Sequence, residues 1–523
     1  MELITTQISM EKKRGAASAQ ATFDEAYHLP DYLPDLFSVI LSDGDIRVDE
    51  VKSSPGHVLV RGGIRYRVFY KTDQNEWKIA SLDGEIPFQE TLAVENMDEF
   101  DMVSVKPVLE DLSVRIANSR KLNVRALLDL QAEARQRYDI EIPEGMDVGA
   151  ENPAEQLIVE REFLELCYQG KENSTVRKEI PVPAGKPNIR QILWQQTQVF
   201  GLNCRLSPGA VSAEGEMQVF VIYAGEETDQ LQWFAERVPF RCEFEIPEAE
   251  GSRIPYIEVR AQNSSCSAGD DEDGEARMVL AETALLADIR LYAEQKRRVL
   301  RDAYALDREL VLHKNPVLCS ALRMKNESHC RLNDTIRLRD QDGEVLQICA
   351  GFGAAEIDRS TFTADGIRLE GVVRICILYL TSSDSSPVEA AEGVLPFSYL
   401  IEIPGLLPED DVKLQHRLEA LSFLLKNSRE AEVQAVVTLE AMVVSPDETE
   451  QISRIEETEQ DMEDWRAQPS MVGLTLSPED SLWQIAKEYR TTAAEIRTLN
   501  HLEHDSVPER RKILVVKQRS GKA

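Results

Sequence analysis

One pattern runs through this chain three times. Val58–Tyr70, Val211–Tyr223 and Ile367–Tyr379 each contain a glycine, seven further residues and then a tyrosine. After a polar loop each copy continues with an apolar-Pro-Phe triplet: Ile86-Pro87-Phe88, Val238-Pro239-Phe240 and Leu395-Pro396-Phe397. In the first copy Val58, Val60, Gly62, Ile64, Tyr66, Val68 and Tyr70 fall on alternate positions, and Gly215 and Gly371 keep the same register in the others. Period two over that length means extended backbone, because successive side chains of a strand point to opposite faces. A glycine inside such a strand marks a bulge or a close backbone crossing. Ser54-Pro55-Gly56, Ser207-Pro208-Gly209 and Ala364-Asp365-Gly366 supply a turn before each strand, as a meander requires.

The copies lie about 150 residues apart, far beyond the roughly 20–50 residues of a stacked solenoid unit. Three tandem β-rich, sandwich-like domains, each with its own core, are therefore expected at 1–145, 150–297 and 298–445. Within them Gly62, Gly215, Gly371, Pro87, Pro239 and Pro396 have structural roles, and Tyr70, Tyr223 and Tyr379 end a core-facing strand, where packing is the expected role. Residues 446–470 are dominated by acidic side chains and lack apolar periodicity, which predicts a flexible linker extended by self-repulsion.

Residues 471–517 read as a separate module. Leu482, Ile485, Ala486 and Tyr489 form one apolar stripe of a short helix, with Asp480 placed to cap it. Thr492-Ala493-Ala494-Glu495 has capping-box spacing for a second helix, with Ile496 and Leu499 turned inward. Leu474 and Leu476 before the helices and Ile513–Val516 after them are short enough to pair as two antiparallel strands, a βααβ unit.

With 92 acidic and 59 basic residues the formal charge is −33, a surface that repels phosphate backbones and anionic lipid. Nucleic-acid binding and direct membrane insertion are not expected, and no run approaches the ~18 apolar residues of a membrane span. The N-terminal stretch lacks the apolar segment of a secretory signal, which predicts a cytoplasmic protein. Eight scattered cysteines without a Cys-x-x-Cys read as reduced thiols. No nucleophile motif, phosphate loop or dinucleotide fingerprint is present, and the histidine pair His501 and His504 lacks a third metal ligand. No enzyme activity, cofactor or metal is expected.

The C-terminal module resembles the LysM family through Asp480-Ser481-Leu482-Trp483, Ile485-Ala486, Tyr489, Thr491, Leu499-Asn500-His501-Leu502 and Lys512-Ile513. That resemblance implies a ligand groove, for an N-acetylglucosamine glycan, between the loop at Asp480 to Leu482 and the loop after Leu502. The candidate contacts are Asp480, Ser481, Leu482, Trp483, Asn500, Leu502, Asp505, Val507 and Pro508. Three family glycines are replaced by Glu479, Arg490 and Arg510, so a protein ligand stays open beside a sugar. Trp483 interrupts the apolar stripe, and either half covers the module's core or presents an apolar patch to a partner.

The Gly, Tyr and Pro-Phe skeleton, with Leu29–Leu36 and Val182–Pro187 as Pro-rich openings, resembles the SPOCS-domain spore coat morphogenetic proteins of the SipL/SpoVID type. The resemblance implies a coat scaffold on the mother-cell side of the forespore surface, with coat proteins and a SpoIVA-like basal-layer ATPase as partners.

Overall fold

The computed structural model describes residues 2–73, 78–148, 154–226, 231–338, 344–383, 387–458, 469–477, 480–502, 504 and 512–517. Each repeat builds six strands in two three-stranded antiparallel sheets. In the first, β1 (Leu3–His28), β6 (Lys121–Met146) and β5 (Met102–Asn118) make one sheet in the order β1-β6-β5. The other sheet is the meander β2 (Ser38–Ser54), β3 (His57–Lys71) and β4 (Ile79–Ala93).

The second repeat copies this with β7 (Ala154–Pro181), β12 (Met278–Ala305) and β11 (Ile254–Gly269) facing β8 (Ile189–Ser207), β9 (Ala210–Gly225) and β10 (Leu231–Glu245). In the third, β13 (Glu309–Arg337), β18 (Glu430–Thr458) and β17 (Asp411–Asn427) face β14 (Val345–Thr363), β15 (Gly366–Thr381) and β16 (Val388–Glu402). In each repeat the inward faces of the two sheets bury one apolar core, so the sandwich expected from the alternation is present three times.

The sequence signature has a steric origin. Gly62, Gly215 and Gly371 pair across the sheet with Phe88, Phe240 and Phe397, the phenylalanines of the three Pro-Phe triplets. On the other side of each glycine the neighbouring strand is irregular, at Val48/Glu50, Phe200/Asn203 and Ile357/Arg359. A Cβ at Gly62 would lie 2.1 Å from the Arg47 carbonyl oxygen and 2.8 Å from the Phe88 ring, whereas one at Gly215 would lie 3.0 Å from the Phe200 oxygen. Gly62→Ala is therefore expected to cost about 1–3 kcal/mol and Gly215→Ala distinctly less. Urea midpoints of the two variants check this; equal shifts would show that the bulged strand yields freely.

The tyrosines anchor the Pro-rich openings. Tyr70 donates its hydroxyl to the Pro34 oxygen at 3.0 Å, and Tyr223 to the Pro187 oxygen at 3.1 Å. Arg120 ties down the same opening through the Leu33 and Pro30 oxygens at 2.7 Å each, and Arg277 does so in the second repeat through the Lys186 oxygen at 3.1 Å.

Two boundaries differ from the sequence reading. β12 runs on to Ala305, past the expected break at 297, because its whole length pairs with β7. β18 continues to Thr458, so residues 446–458, expected to begin a flexible linker, are strand. Ile452 and Ile455 are buried there against Met146, Leu300 and Ala303 of the other repeats, and that packing holds the acidic segment in place. Residues 459–468 of the expected linker lie outside the described residues.

The three repeats close into a ring. The second face of each central strand meets the neighbouring repeats. Phe69 stacks near Trp194 with centroids 5.2 Å apart, and Arg67 donates to the Gln195 oxygen at 2.8 Å, joining repeat one to two. Phe220 lies 6.1 Å from Phe352, and Gln218 donates to the Gly351 oxygen at 3.0 Å, joining two to three. Buried Lys71 pairs with buried Glu389 at 2.5 Å, joining three back to one. Phe69, Ile222 and Leu378, equivalent positions of the three copies, share one apolar hub.

A buried ionic knot also joins all three repeats. Arg135 holds Asp411 in a two-pronged contact at 2.6 and 3.0 Å, and Lys413 bonds to both Glu11 and Tyr292. Burial pulls the Lys413 ammonium down to about 8 against the opposing pull of Glu11. The Glu11 carboxyl, which burial alone would raise, is held below its ordinary value by Lys413, Arg135 and Arg290.

Candidate interaction site at the C-terminal module

The module pairs β19 (Met471–Thr475) with β20 (Lys512–Val516) around two helices, α1 (Leu482–Tyr489) and α2 (Ala493–Leu499). Its small core holds Leu476, Leu482, Ile485, Ala486, Ile496, Leu502, Ile513 and Val515. Ser481, not Asp480, caps α1: its hydroxyl accepts from the Gln484 N–H at 3.2 Å, while the Asp480 carboxylate turns back to the Ser477 N–H at 2.7 Å. The capping box at Thr492 and Glu495 forms as the spacing predicts. Ile496 is buried, whereas Leu499 is exposed because the helix ends there and turns its last residue to solvent.

The candidate residues separate into distinct roles. Leu482 and Leu502 are core. Asn500 is a staple: its amide donates to the Ile496 and Leu514 oxygens at 2.8 and 2.7 Å and accepts from the Leu514 N–H at 2.7 Å. Asp480 and Ser481 are exposed at the start of α1. Glu479, Asp505, Val507, Pro508 and Arg510 lie outside the described residues, so the second loop of the expected groove is undescribed.

Trp483 packs half-buried against the module's core, one of its two expected roles, and also seats the module on the end of β12. Its ring meets that of Tyr304 edge-on, centroids 4.9 Å apart, and its Nε1–H donates to the Asp302 carboxylate at 2.8 Å. Lys487 donates to the other Asp302 oxygen at 2.6 Å, and the Tyr304 hydroxyl donates to the Thr491 oxygen at 2.8 Å. Arg490, in the place of a family glycine, takes the left-handed conformation at φ 52° that ends α1, and its guanidinium reaches the Arg308 oxygen at 3.4 Å. The tail is thus docked. No sequence signal marks this seat, because Asp302 and Tyr304 belong to a strand whose partner Trp483 is 181 residues away in the chain.

Burial alone would raise the Asp302 carboxyl, yet Lys487 and Trp483 hold it below its ordinary value. A carboxyl with a depressed folded pKa contributes stability above its unfolded pKa and loses it as pH falls through the folded one. The seat is therefore expected to loosen below about pH 4, near the ordinary aspartate pKa. Amide exchange across 482–499 followed from pH 6 to pH 3 reads this, and protection that persists to pH 3 in a folded ring would contradict it.

Where the three repeats meet, an open cavity of about 1150 Å³ is lined by Asp43, Arg65, Arg67, Gln195, Arg374 and Arg417 among others. Its arginines are engaged: Arg65 with Asp45, Arg67 with Asp83, Arg374 with Glu356 and Arg417 with Glu327. Burial pushes the Asp43 carboxyl up to about 6. Among the described residues no cluster of three or more His, Cys, Asp or Glu side chains could hold a metal ion, and no helix is long and apolar enough to cross a membrane.

Comparison with known families accounts for both parts. The SipL, SPOCS domain profile matches residues 35–117, 188–268 and 344–426, and the LysM domain profile matches 475–516. The chain is a three-copy SPOCS-domain protein with a C-terminal LysM domain. Each SPOCS match spans the four strands β2–β5, β8–β11 or β14–β17 and leaves the long flanking strands outside. SPOCS and LysM are non-catalytic binding and scaffold families, and they associate the chain with the sporulation coat. No curated protein and no solved structure matches the chain.

Proposed function

We propose that this protein is a non-catalytic scaffold of spore-coat assembly, acting in the mother-cell cytoplasm at the forespore surface. In this reading the SPOCS ring is the rigid body that contacts coat proteins. The LysM module is the grip on a partner such as a SpoIVA-like basal-layer ATPase. One observation carries the reading: the chain spends its polar side chains on holding three domains and a fourth module together. Arg135, Lys413, Lys71 and Asp302 all serve contacts between units. The net charge of −33 favours basic protein surfaces as partners.

Pull-down from sporulating cells with the full chain and with a chain ending at residue 470 tests it. Coat proteins are expected with both, and the basal ATPase with the full chain alone. Equal ATPase capture by the two would move the grip to the ring. Binding of an N-acetylglucosamine glycan is the second reading, favoured by the LysM match. It is tested by titrating chitin oligomers into the full chain, where a tight complex would promote it.

A further inference from the structure

We propose that the Trp483 face of the LysM module is a peptide-binding site, and that the end of β12 is its built-in occupant. The ligand class is an extended protein segment presenting a carboxylate, an aromatic ring and an aliphatic side chain at positions i, i+2 and i+4. It deepens the recruitment reading by naming the partner's chemistry, and rests on it only for the existence of that partner.

Strand alternation places Asp302 and Tyr304 on the side toward the module, while Ala303 between them is buried on the other side among Met146, Leu300 and Ile452; Leu306, just past the end of β12, also packs toward the module. A face read at every second residue is how a pleated segment is recognised by side-chain pockets. The reading surface matches group for group. Trp483 Nε1 and Lys487 Nζ take the two carboxylate oxygens of Asp302, at 2.8 and 2.6 Å. The indole packs edge-on against the Tyr304 ring, and the Thr491 carbonyl accepts the Tyr304 hydroxyl at 2.8 Å. Leu306 covers the margin of the module's core. Arg490 extends the contact to main chain at the Arg308 oxygen.

Eight of the nine buried members of this cluster belong to the module, and Tyr304 is the one supplied by β12. Trp483, half-buried at the margin of that core, and Lys487 turn their polar atoms outward to Asp302. Carriage on one chain places the built-in segment at an effective concentration in the millimolar range, so it masks the site until a better segment, or loss of the seat, displaces it.

The test uses the full chain and a fluorescent peptide with the sequence of residues 300–308, followed by anisotropy. Wild type is expected to bind weakly. Tyr304→Ala, which empties the seat, should bind about tenfold or more tightly, the factor by which a millimolar tethered competitor suppresses a ~100 μM site. Adding Trp483→Ala to that variant should abolish binding. Should Tyr304→Ala fail to fold, Asp302→Asn serves as the seat variant, with a smaller gain expected. A seat-emptied chain that binds no more tightly than wild type, or that binds equally without Trp483, overturns the proposal. No coat partner enters this readout. Failed ATPase capture with intact peptide binding therefore sinks the recruitment reading alone, and the reverse result sinks the peptide site alone.

Discussion

Arg135→Met is expected to destabilise the three-domain body by about 3–5 kcal/mol, the usual loss when one partner of a buried ion pair is removed. Arg135 is 2% exposed, and its guanidinium is the clamp between the first and third repeats, through the two-pronged bond to Asp411. It also lies 3.5 Å from Glu11 and 2.5 Å from Glu133. Methionine fills similar volume, so the loss is one of charge: Asp411 loses its two-pronged partner and buried Glu11 loses one of its cations. Adding Asp411→Leu to Arg135→Met should recover part of the loss, because replacing both partners removes the stranded charge. Urea unfolding of wild type, the single variant and the double variant measures it. A single-variant loss under about 1 kcal/mol would mean that the knot relaxes into solvent and does not hold the ring shut.

Leu482→Ala is expected to unfold the LysM module while leaving the ring intact. Leu482 is 2% exposed at the centre of a core of eight buried side chains shared by two short helices and two five-residue strands. Removing a buried leucine costs about 2–5 kcal/mol, comparable to the roughly 3–5 kcal/mol that so small a core supplies. The seat on Asp302 and Tyr304 adds support that an isolated module would lack, so the loss should be clearest below the pH at which Asp302 protonates. Amide exchange should rise through α1 and α2 and stay unchanged in β3, β9 and β15. Loss of ATPase capture should follow. Capture that survives an unfolded module would remove the LysM module from recruitment.

Much of this fold was legible in the sequence, and the reasons are local. Glycine and the Pro-Phe phenylalanine repeat because a ring on one strand occupies the space where a side chain on the next would stand. The tyrosine repeats because its hydroxyl fastens the Pro-rich opening. The capping box at Thr492 was readable because it depends on a four-residue spacing alone. Local spacing misled at the α1 cap, where Asp480 and Ser481 are adjacent candidates and geometry chose the shorter side chain. It misled again at residues 446–458, where acidic composition masked Ile452 and Ile455.

The candidate ligand residues were less legible. A family groove assigned to Leu482, Asn500 and Leu502 meets, in the structure, two core leucines and a backbone staple. The residue that does reach outside the module, Trp483, reaches its own chain.

Sequence alone determined the unit: alternation specifies which side chains share a face, and the glycine register specifies where neighbouring strands bulge. Tertiary structure decided how units meet. Whether the second face of β3, β9 and β15 sees water or another domain depends on residues more than a hundred positions away, such as Phe69 against Trp194 or Lys71 against Glu389. No period or composition encodes such pairings, because a half-polar face is compatible with solvent and with an interface alike. Burial of Lys71, Arg135 and Lys413 with their partners is what tells the two apart.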